Sequence, residues 1–184
     1  MPLWIVRHAR PLVAPGVCYG ALDIAADPVA TAEAAQALAQ VLPQCARIGV
    51  SPLQRCQQLA RALQILRPEL HFLTDSRLRE MDFGCWEGIA WDAIPQAYLQ
   101  AWTDDFAAHR FGGIESASDV LTRVASAWDA YTDHATAAWI THAGVVRAAA
   151  LLQSGVRKLS RADQWPQDAP AYGEWRVMPS VPKL

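Results

Sequence analysis

The chain has 184 residues, a net charge of -2 at pH 7 and a hydrophobic fraction of 52%. The length fits one domain, the hydrophobic fraction excludes a disordered chain, and the charge offers no general attraction to nucleic acid or an anionic membrane. No apolar run approaches ~20 residues, so no transmembrane helix is expected. The four cysteines (Cys18, Cys45, Cys56 and Cys85) form no CxxC pair, and the chain begins with an apolar strand pattern instead of a secretory signal. We therefore expect reduced thiols and a cytoplasmic protein.

Strand and helix patterns alternate through the first half of the chain, with proline and glycine in the loops between them. Asp27 and Pro28 predict the N-cap and the first position of a helix. The alternation is typical of parallel βαβ units in an α/β fold. The predicted elements are a strand at 3–6, a helix at 29–42, a strand at 47–51, a helix at 53–66 and a strand at 71–73 or slightly beyond.

The second half is less regular, and we interpret residues 84–116 as a cap-like insertion in a single domain that spans residues 1–184. Residues 91–106 have helical character that Pro95 interrupts. After this segment, Ser116 or Ser118 can cap a helix that runs to about His134. The remaining predicted elements are a strand at 137–141, a helix at 144–152 and a last edge strand at 175–178.

Chemically useful side chains follow the ends of several predicted strands. Arg7 and His8 follow the first strand, Arg55 lies in the first turn of the helix after the second, and His142 lies at a later strand-to-helix turn. Ligands of open α/β sheets bind at such strand ends. An arginine there can hold an anion that a neutral histidine attacks as a covalent nucleophile, and Glu80 adds an acid at a turn. Together these residues predict a phosphate pocket.

Each residue taken alone also has a simpler explanation. Arg55 could be an exposed helix residue, which is the usual fate of arginine. His142 could be a core histidine bonded to backbone, and Glu80 could form a surface salt bridge. The occurrence of all of them at successive strand ends favours the pocket.

These residues lie in motifs that resemble the histidine phosphatase superfamily, also called the phosphoglycerate mutase-like fold, over nearly the whole chain. Residues 18–23 together with residues 80–88 are most similar to the α-ribazole phosphatase branch, which acts in the late steps of cobalamin assembly. The motifs that carry the family resemblance are Arg7-His8, Ser51-Pro-Leu-Gln-Arg55, the proton-donor segment 78–88, Gly113-Ile-Glu-Ser116 and Thr141-His142-Ala-Gly144.

The resemblance implies a three-layer α/β/α sandwich and a phosphatase that forms a phosphohistidine on His8. It implies that Glu80 protonates the leaving alcohol and that His142 helps to hold the phosphoryl group. Substrate binding is assigned to Arg7, Arg55, Arg10 and Ala143, with no metal and no cofactor. The expected partner is a small phosphorylated metabolite. Neither nucleic acid nor a membrane is expected as a partner, and the protein is expected to be a monomer or a homodimer.

The sequence departs from the family pattern beside the nucleophile, where Ala9 replaces the usual glycine and Arg10 replaces the usual Glu, Gln or Thr. Arg10 is expected to add a cation near the pocket mouth. Three alternatives to a small-molecule phosphatase remain open. They are a phosphoglycerate mutase, which returns the phosphoryl group to substrate, a phosphoprotein phosphatase, and a non-catalytic phosphate-binding relative.

Overall fold

The computed structural model describes residues 2–44, 47–131 and 136–179. Within these residues one sheet has five strands in the order β3-β2-β4-β1-β5. The first four strands are parallel, and β5 runs antiparallel beside β1 at the sheet edge. The predicted α/β class with a mostly parallel sheet is confirmed. The strands are β1 (Leu3–Arg7), β2 (Arg47–Val50), β3 (His71–Thr74), β4 (Ala137–Thr141) and β5 (Trp175–Met178).

Helices cover both faces of the sheet and give the three layers. The helices are α1 (Pro28–Val41), α2 (Gln54–Leu66), α3 (Gln96–Asp104), α4 (Ala117–Tyr131) and α5 (Ala143–Gln153). Successive side chains of β1 point to opposite faces of the sheet. Leu3 and Ile5 pack with α4 and α5 on one face, whereas Val6 packs with α1 and α2 on the other. Burial on both faces explains why β4 is apolar along nearly all its length.

Most predicted element bounds differ from the structure by one or two residues. Asp27 caps α1 as expected, since its carboxylate accepts a hydrogen bond from the Ala30 N–H at 2.9 Å and Pro28 is the first helical residue. Helix α3 begins after Pro95, where the sequence predicted an interruption. The predicted helix end near His134 lies outside the described residues.

The segment 84–116 holds α3 and short helical turns, and its aromatic rings pack against one another. The Trp102 ring lies 4.5 Å from the Phe111 ring and 5.5 Å from the Phe106 ring, measured between centroids, and it stacks on both. Cys18, Cys56 and Cys85 are unpaired, and Cys45 falls outside the described part. No helix in the described ranges has the length and apolar character needed to cross a membrane.

Candidate active site

A cavity of about 440 Å³ opens beside the ends of β1 and β4, where the sequence placed its chemistry. One part of its lining is polar or charged and another part is aromatic. The ends of β1 and β4 contribute Arg7, His8, Ala143 and Gly144 to the lining, whereas its aromatic residues come from irregular segments, short helical turns and α3. The lining residues are Arg7, His8, Val17, Tyr19, Glu80, Met81, Phe83, Trp91, Trp102, Phe106, Ala143, Gly144, Arg147, Trp165 and Gln167.

His8 lies at the polar end with the geometry of a neutral nucleophile. Its Nδ1–H donates to the carbonyl oxygen of Ala9 at 2.7 Å, which leaves Nε2 unprotonated. Burial first, and then the positive charges of Arg55 and Arg7, lower the pKa of His8 to about 3. The imidazole is therefore neutral at ordinary pH and has a lone pair for attack.

Arg7 lines the same end of the cavity, and some N–H donors of its guanidinium have no acceptor among the described residues. Its Nη1 donates to the carbonyl oxygen of Pro170 at 3.0 Å. Its Nε is buried without a hydrogen-bond partner, and no carboxylate within the described residues pairs with the side chain. A guanidinium without an anionic partner beside a neutral nucleophile is suited to bind a phosphoryl group.

Arg55 is fully buried, so it is not an exposed helix residue. Its guanidinium donates to the carbonyl oxygens of Gly20 at 2.6 Å and Leu22 at 2.8 Å. It does not line the cavity, although its charge contributes to the low pKa of His8. The structure therefore places Arg55 near His8 but not in the cavity lining, and its direct contact with substrate stays a prediction.

His142 is also fully buried and outside the cavity lining, with its ring centroid 5.0 Å from that of His8. Its Nε2 forms a hydrogen bond of 2.8 Å with the Ser51 hydroxyl, so its partner is a side chain instead of backbone. Its Nδ1 is buried without a partner among the described residues. Burial first, and then His8 and Arg55, hold the pKa of His142 well below its usual value.

Glu80 lines the cavity and is held by two backbone N–H groups. One carboxylate oxygen accepts from Met81 at 3.0 Å and the other accepts from Gly144 at 3.1 Å. A Cβ atom at Gly144 would lie 2.2 Å from Glu80 Oε1, so any side chain there would require the carboxylate to move. Glu80 forms no ion pair in the described part of the chain, which removes the surface salt bridge as its explanation.

The segment that carries Glu80 is fastened from two sides. The Thr141 hydroxyl donates to the carbonyl oxygen of Leu78 at 2.7 Å. Arg123 donates to the carbonyl oxygens of Arg77, Arg79 and Glu80, and it pairs with Glu115 at 2.7 Å. This explains Glu115 in the 113–116 motif, whose carboxylate fixes the arginine that fixes the Glu80 segment.

The other predicted site residues divide between the cavity and the surface. Ala143 lines the cavity. The structure does not bring Arg10 there, because its guanidinium pairs at 3.1 Å with Asp27, the N-cap carboxylate of α1, and its side chain is 67% exposed. Within the proton-donor segment 78–88, Met81 and Phe83 line the cavity, whereas Trp86 is not part of the lining and packs on Tyr98 and Phe111.

Several lining residues were not expected from the sequence. Arg147 lies in α5 just after the Thr141-His142-Ala-Gly144 motif, and its position one helical turn after Ala143 was the available signal. Trp165 and Gln167 belong to a tail that carries no motif. Glu87 was also missed, and its carboxylate accepts from the N–H groups of residues 20–22 and of Phe83.

Comparisons with known proteins agree with this arrangement. The family model described as "Histidine phosphatase superfamily (branch 1)" matches residues 3–172. No curated protein sequence gives a match. A mycobacterial glucosyl-3-phosphoglycerate phosphatase has 23% identity and a TM-score of 0.78, with 96% of this chain and 88% of that chain covered. A protein of Thermus thermophilus has 28% identity and a TM-score of 0.71, with 96% and 92% covered.

A third similar structure, described as mycobacterial hydrolase 2, has 22% identity and a TM-score of 0.79, with 96% of this chain and 80% of that chain covered. At these identities the mycobacterial structures show the shared fold. The family model covers most of the chain and includes the stretches that carry Arg7, His8, Arg55, Glu80 and His142. The chain therefore belongs to the histidine phosphatase superfamily, branch 1.

Proposed function

We propose that this protein is a phosphomonoesterase that hydrolyses a small phosphorylated metabolite through a phosphohistidine on His8. The observation that carries the proposal is a neutral His8 in one cavity with the Arg7 guanidinium, whose Nε is buried without a hydrogen-bond partner in the described part of the chain, and the carboxyl group of Glu80. These three groups supply the nucleophile, the anion site and the acid that phosphoryl transfer requires.

In the first step, Nε2 of His8 forms a bond to phosphorus while the bond from phosphorus to the ester oxygen breaks. Protonated Glu80 gives its proton to the departing alkoxide, so the alcohol leaves neutral. Arg7 binds the phosphoryl oxygens, and the positive charge of the nearby Arg55 offsets their charge. The Nδ1–H bond to Ala9 keeps the imidazole in the required tautomer.

In the second step, the Glu80 carboxylate takes a proton from water as the water oxygen attacks phosphorus. The phosphorus–nitrogen bond breaks, which releases inorganic phosphate and returns neutral His8 and protonated Glu80. In our proposal His142 is held in place by its hydrogen bond to Ser51 and contributes to phosphoryl binding.

For the substrate, we propose α-ribazole 5'-phosphate, as the resemblance of residues 18–23 and 80–88 suggests. The support from the cavity is its aromatic wall, because a flat aromatic base can stack on such rings. That wall consists of Phe83, Trp91, Trp102, Phe106 and Trp165.

A second candidate substrate is a phosphorylated sugar acid, the class that gives the similar mycobacterial phosphatase its name. Arg147 favours it, since this residue lines the cavity and its guanidinium has no carboxylate partner among the described residues.

The mutase, the phosphoprotein phosphatase and the non-catalytic relative are the competing functions. We also propose a cytoplasmic location, for which the unpaired Cys18, Cys56 and Cys85 are the support.

The test combines turnover with trapping of the intermediate. The purified protein is assayed with p-nitrophenyl phosphate, α-ribazole 5'-phosphate, glucosyl-3-phosphoglycerate, 3-phosphoglycerate and a phosphohistidine protein. Labelled phosphate is trapped by denaturation during turnover. We expect acid-labile label on His8, and His8→Ala should lower kcat/KM by about 10³-fold or more because the covalent route is lost. Acid-labile label on another residue, or phosphoryl transfer back to phosphoglycerate without net hydrolysis, would contradict the proposal.

A further inference from the structure

The chain after α5 runs back to the nucleophile and is fixed there by backbone hydrogen bonds. The Arg7 N–H donates to the Glu174 carbonyl oxygen at 2.9 Å. The Gly173 N–H donates to the carbonyl oxygens of Arg7 at 3.2 Å and His8 at 3.0 Å. Arg7 in turn donates from Nη1 to the Pro170 carbonyl oxygen. Residue 172 therefore has a set position beside the end of β1.

The Tyr172 side chain lies against both Arg7 and His8. The Arg7 Cζ atom is 3.9 Å from the centroid of the Tyr172 ring, which is close contact for a guanidinium on an aromatic face. The ring centroid is 5.6 Å from that of His8. The Tyr172 hydroxyl forms a hydrogen bond of 2.7 Å with the Tyr19 hydroxyl, which joins the tail to the loop after β1.

We propose that Tyr172 is a positioning residue: its ring holds the Arg7 guanidinium flat and covers the His8 imidazole, so that both face the phosphoryl group in fixed orientations. This rests on the proposed function. A guanidinium stacked on a ring keeps its edge N–H groups free, and that edge is what recognises phosphate bidentately. An Arg7 held this way loses less side-chain freedom when substrate binds.

The first measurement is binding of vanadate, which probes the phosphoryl site without turnover. Tyr172→Leu removes the ring face and should weaken vanadate binding about tenfold, with a similar fall in kcat/KM. Tyr172→Phe keeps the ring and should stay within about threefold of wild type. Tyr172 is 39% exposed, so neither substitution opens a cavity in the core.

The second measurement is the acid limb of kcat/KM against pH. In the wild type, burial is the largest cause of the low pKa of His8, and the charges of Arg55 and Arg7 act in the same direction. The neutral rings of His142 and Tyr172 also face it. Loss of the Tyr172 ring admits water, which should raise the pKa of His8 toward 6.5 and move the acid limb to higher pH. A merely structural role would leave that limb in place.

The control is Tyr98→Leu, which removes an exposed tyrosine that packs on Trp86 away from the cavity and should leave vanadate binding and the pH profile unchanged. Wild-type vanadate binding by Tyr172→Leu would overturn the proposal. So would an equal loss in Tyr172→Phe, which would assign the effect to the hydroxyl. If the wild type traps no phosphohistidine but Tyr172→Leu still weakens vanadate binding, the proposed function fails while the positioning of Arg7 stands.

Discussion

Two carboxyl groups lie two residues apart near the cavity and differ in what they contact. Glu80 lines the cavity and accepts from the N–H groups of Met81 and Gly144. Asp82 accepts from the Gly84 N–H at 2.8 Å and is not part of the lining. An acid must be within hydrogen-bond reach of the leaving oxygen, so geometry favours Glu80 for proton transfer.

We predict that the loss caused by Glu80→Gln depends on the leaving group. An alkyl alkoxide needs a proton as it leaves, whereas p-nitrophenolate leaves without help. Glu80→Gln should therefore lower kcat/KM about 10²-fold or more for an alkyl phosphate and much less for p-nitrophenyl phosphate. Asp82→Asn is the matched control and should be the milder change on the alkyl ester. Equal losses on both esters for Glu80→Gln would leave it a structural role only.

The two arginines should respond differently to substitution because only Arg7 lines the cavity. Arg7→Ala should weaken vanadate binding about tenfold or more, and Arg7→Lys should restore it only in part because a point charge lacks the planar fork. Arg55→Ala should weaken vanadate binding and also lower the melting temperature, since the carbonyls of Gly20 and Leu22 lose their donors. Titration calorimetry and thermal unfolding measure the two effects. Unchanged vanadate binding in Arg55→Ala would limit Arg55 to holding the loop.

At the scale of elements, the start of α5 contacts the segment that carries Glu80, just before the short helical turn at 84–86. Glu80 accepts from the Gly144 N–H at the N-terminus of α5. Arg123 from α4 and Thr141 from β4 fix the same segment through its carbonyl oxygens. Three regular elements therefore set the position of one acid, although that acid lies outside any helix or strand.

We predict that Gly144→Ala displaces Glu80 and lowers activity. The added Cβ would lie 2.2 Å from Glu80 Oε1, so the carboxylate has to move. A displacement of this kind should lower kcat/KM for an alkyl phosphate about 10²-fold, with a smaller loss for p-nitrophenyl phosphate. The double variant Glu80→Gln with Gly144→Ala should be no worse than Glu80→Gln alone, because both changes remove the same function. Additive losses would show that Gly144 acts through something other than Glu80.

At the scale of the whole molecule, the fold buries two neutral histidines beside three arginines. His8 and His142 are almost fully buried, and their neighbours Arg7, Arg55 and Arg123 add positive potential. Both pKa values lie below the unfolded value of about 6.5. The folded state therefore binds fewer protons than the unfolded state once the pH falls below that value.

We predict that this difference destabilises the protein between about pH 6 and about pH 5. A lowered histidine pKa gives stability that is present above pH 6.5 and is lost as the pH falls toward the folded value, which is about 3 for His8. The free energy of unfolding should fall by about 1 kcal/mol per histidine over this unit of pH. His8→Asn should remove about half of this dependence of the unfolding free energy on pH, as measured by urea unfolding at each pH. The same dependence on pH in wild type and His8→Asn would contradict the assigned pKa.

The sequence by itself determined the class of fold and the main chemical groups. Hydrophobic periodicity and the punctuation by proline and glycine are local, so they predicted the strands and helices to within a few residues. Arg7, His8 and Glu80 could be predicted as site residues because they follow strands or turns in short motifs. The family resemblance placed Ala143 among the substrate-binding residues, and Ala143 does line the cavity.

Only the tertiary structure decided which of these side chains line the cavity and what encloses it. Arg10 follows the nucleophile in sequence but pairs with Asp27, because an N-cap carboxylate lies within reach on the surface. Arg147, Trp165 and Tyr172 reach the site because α5 and the tail return to the end of β1. Such contacts depend on the packing of segments far apart in the chain, and no local pattern of residues encodes them.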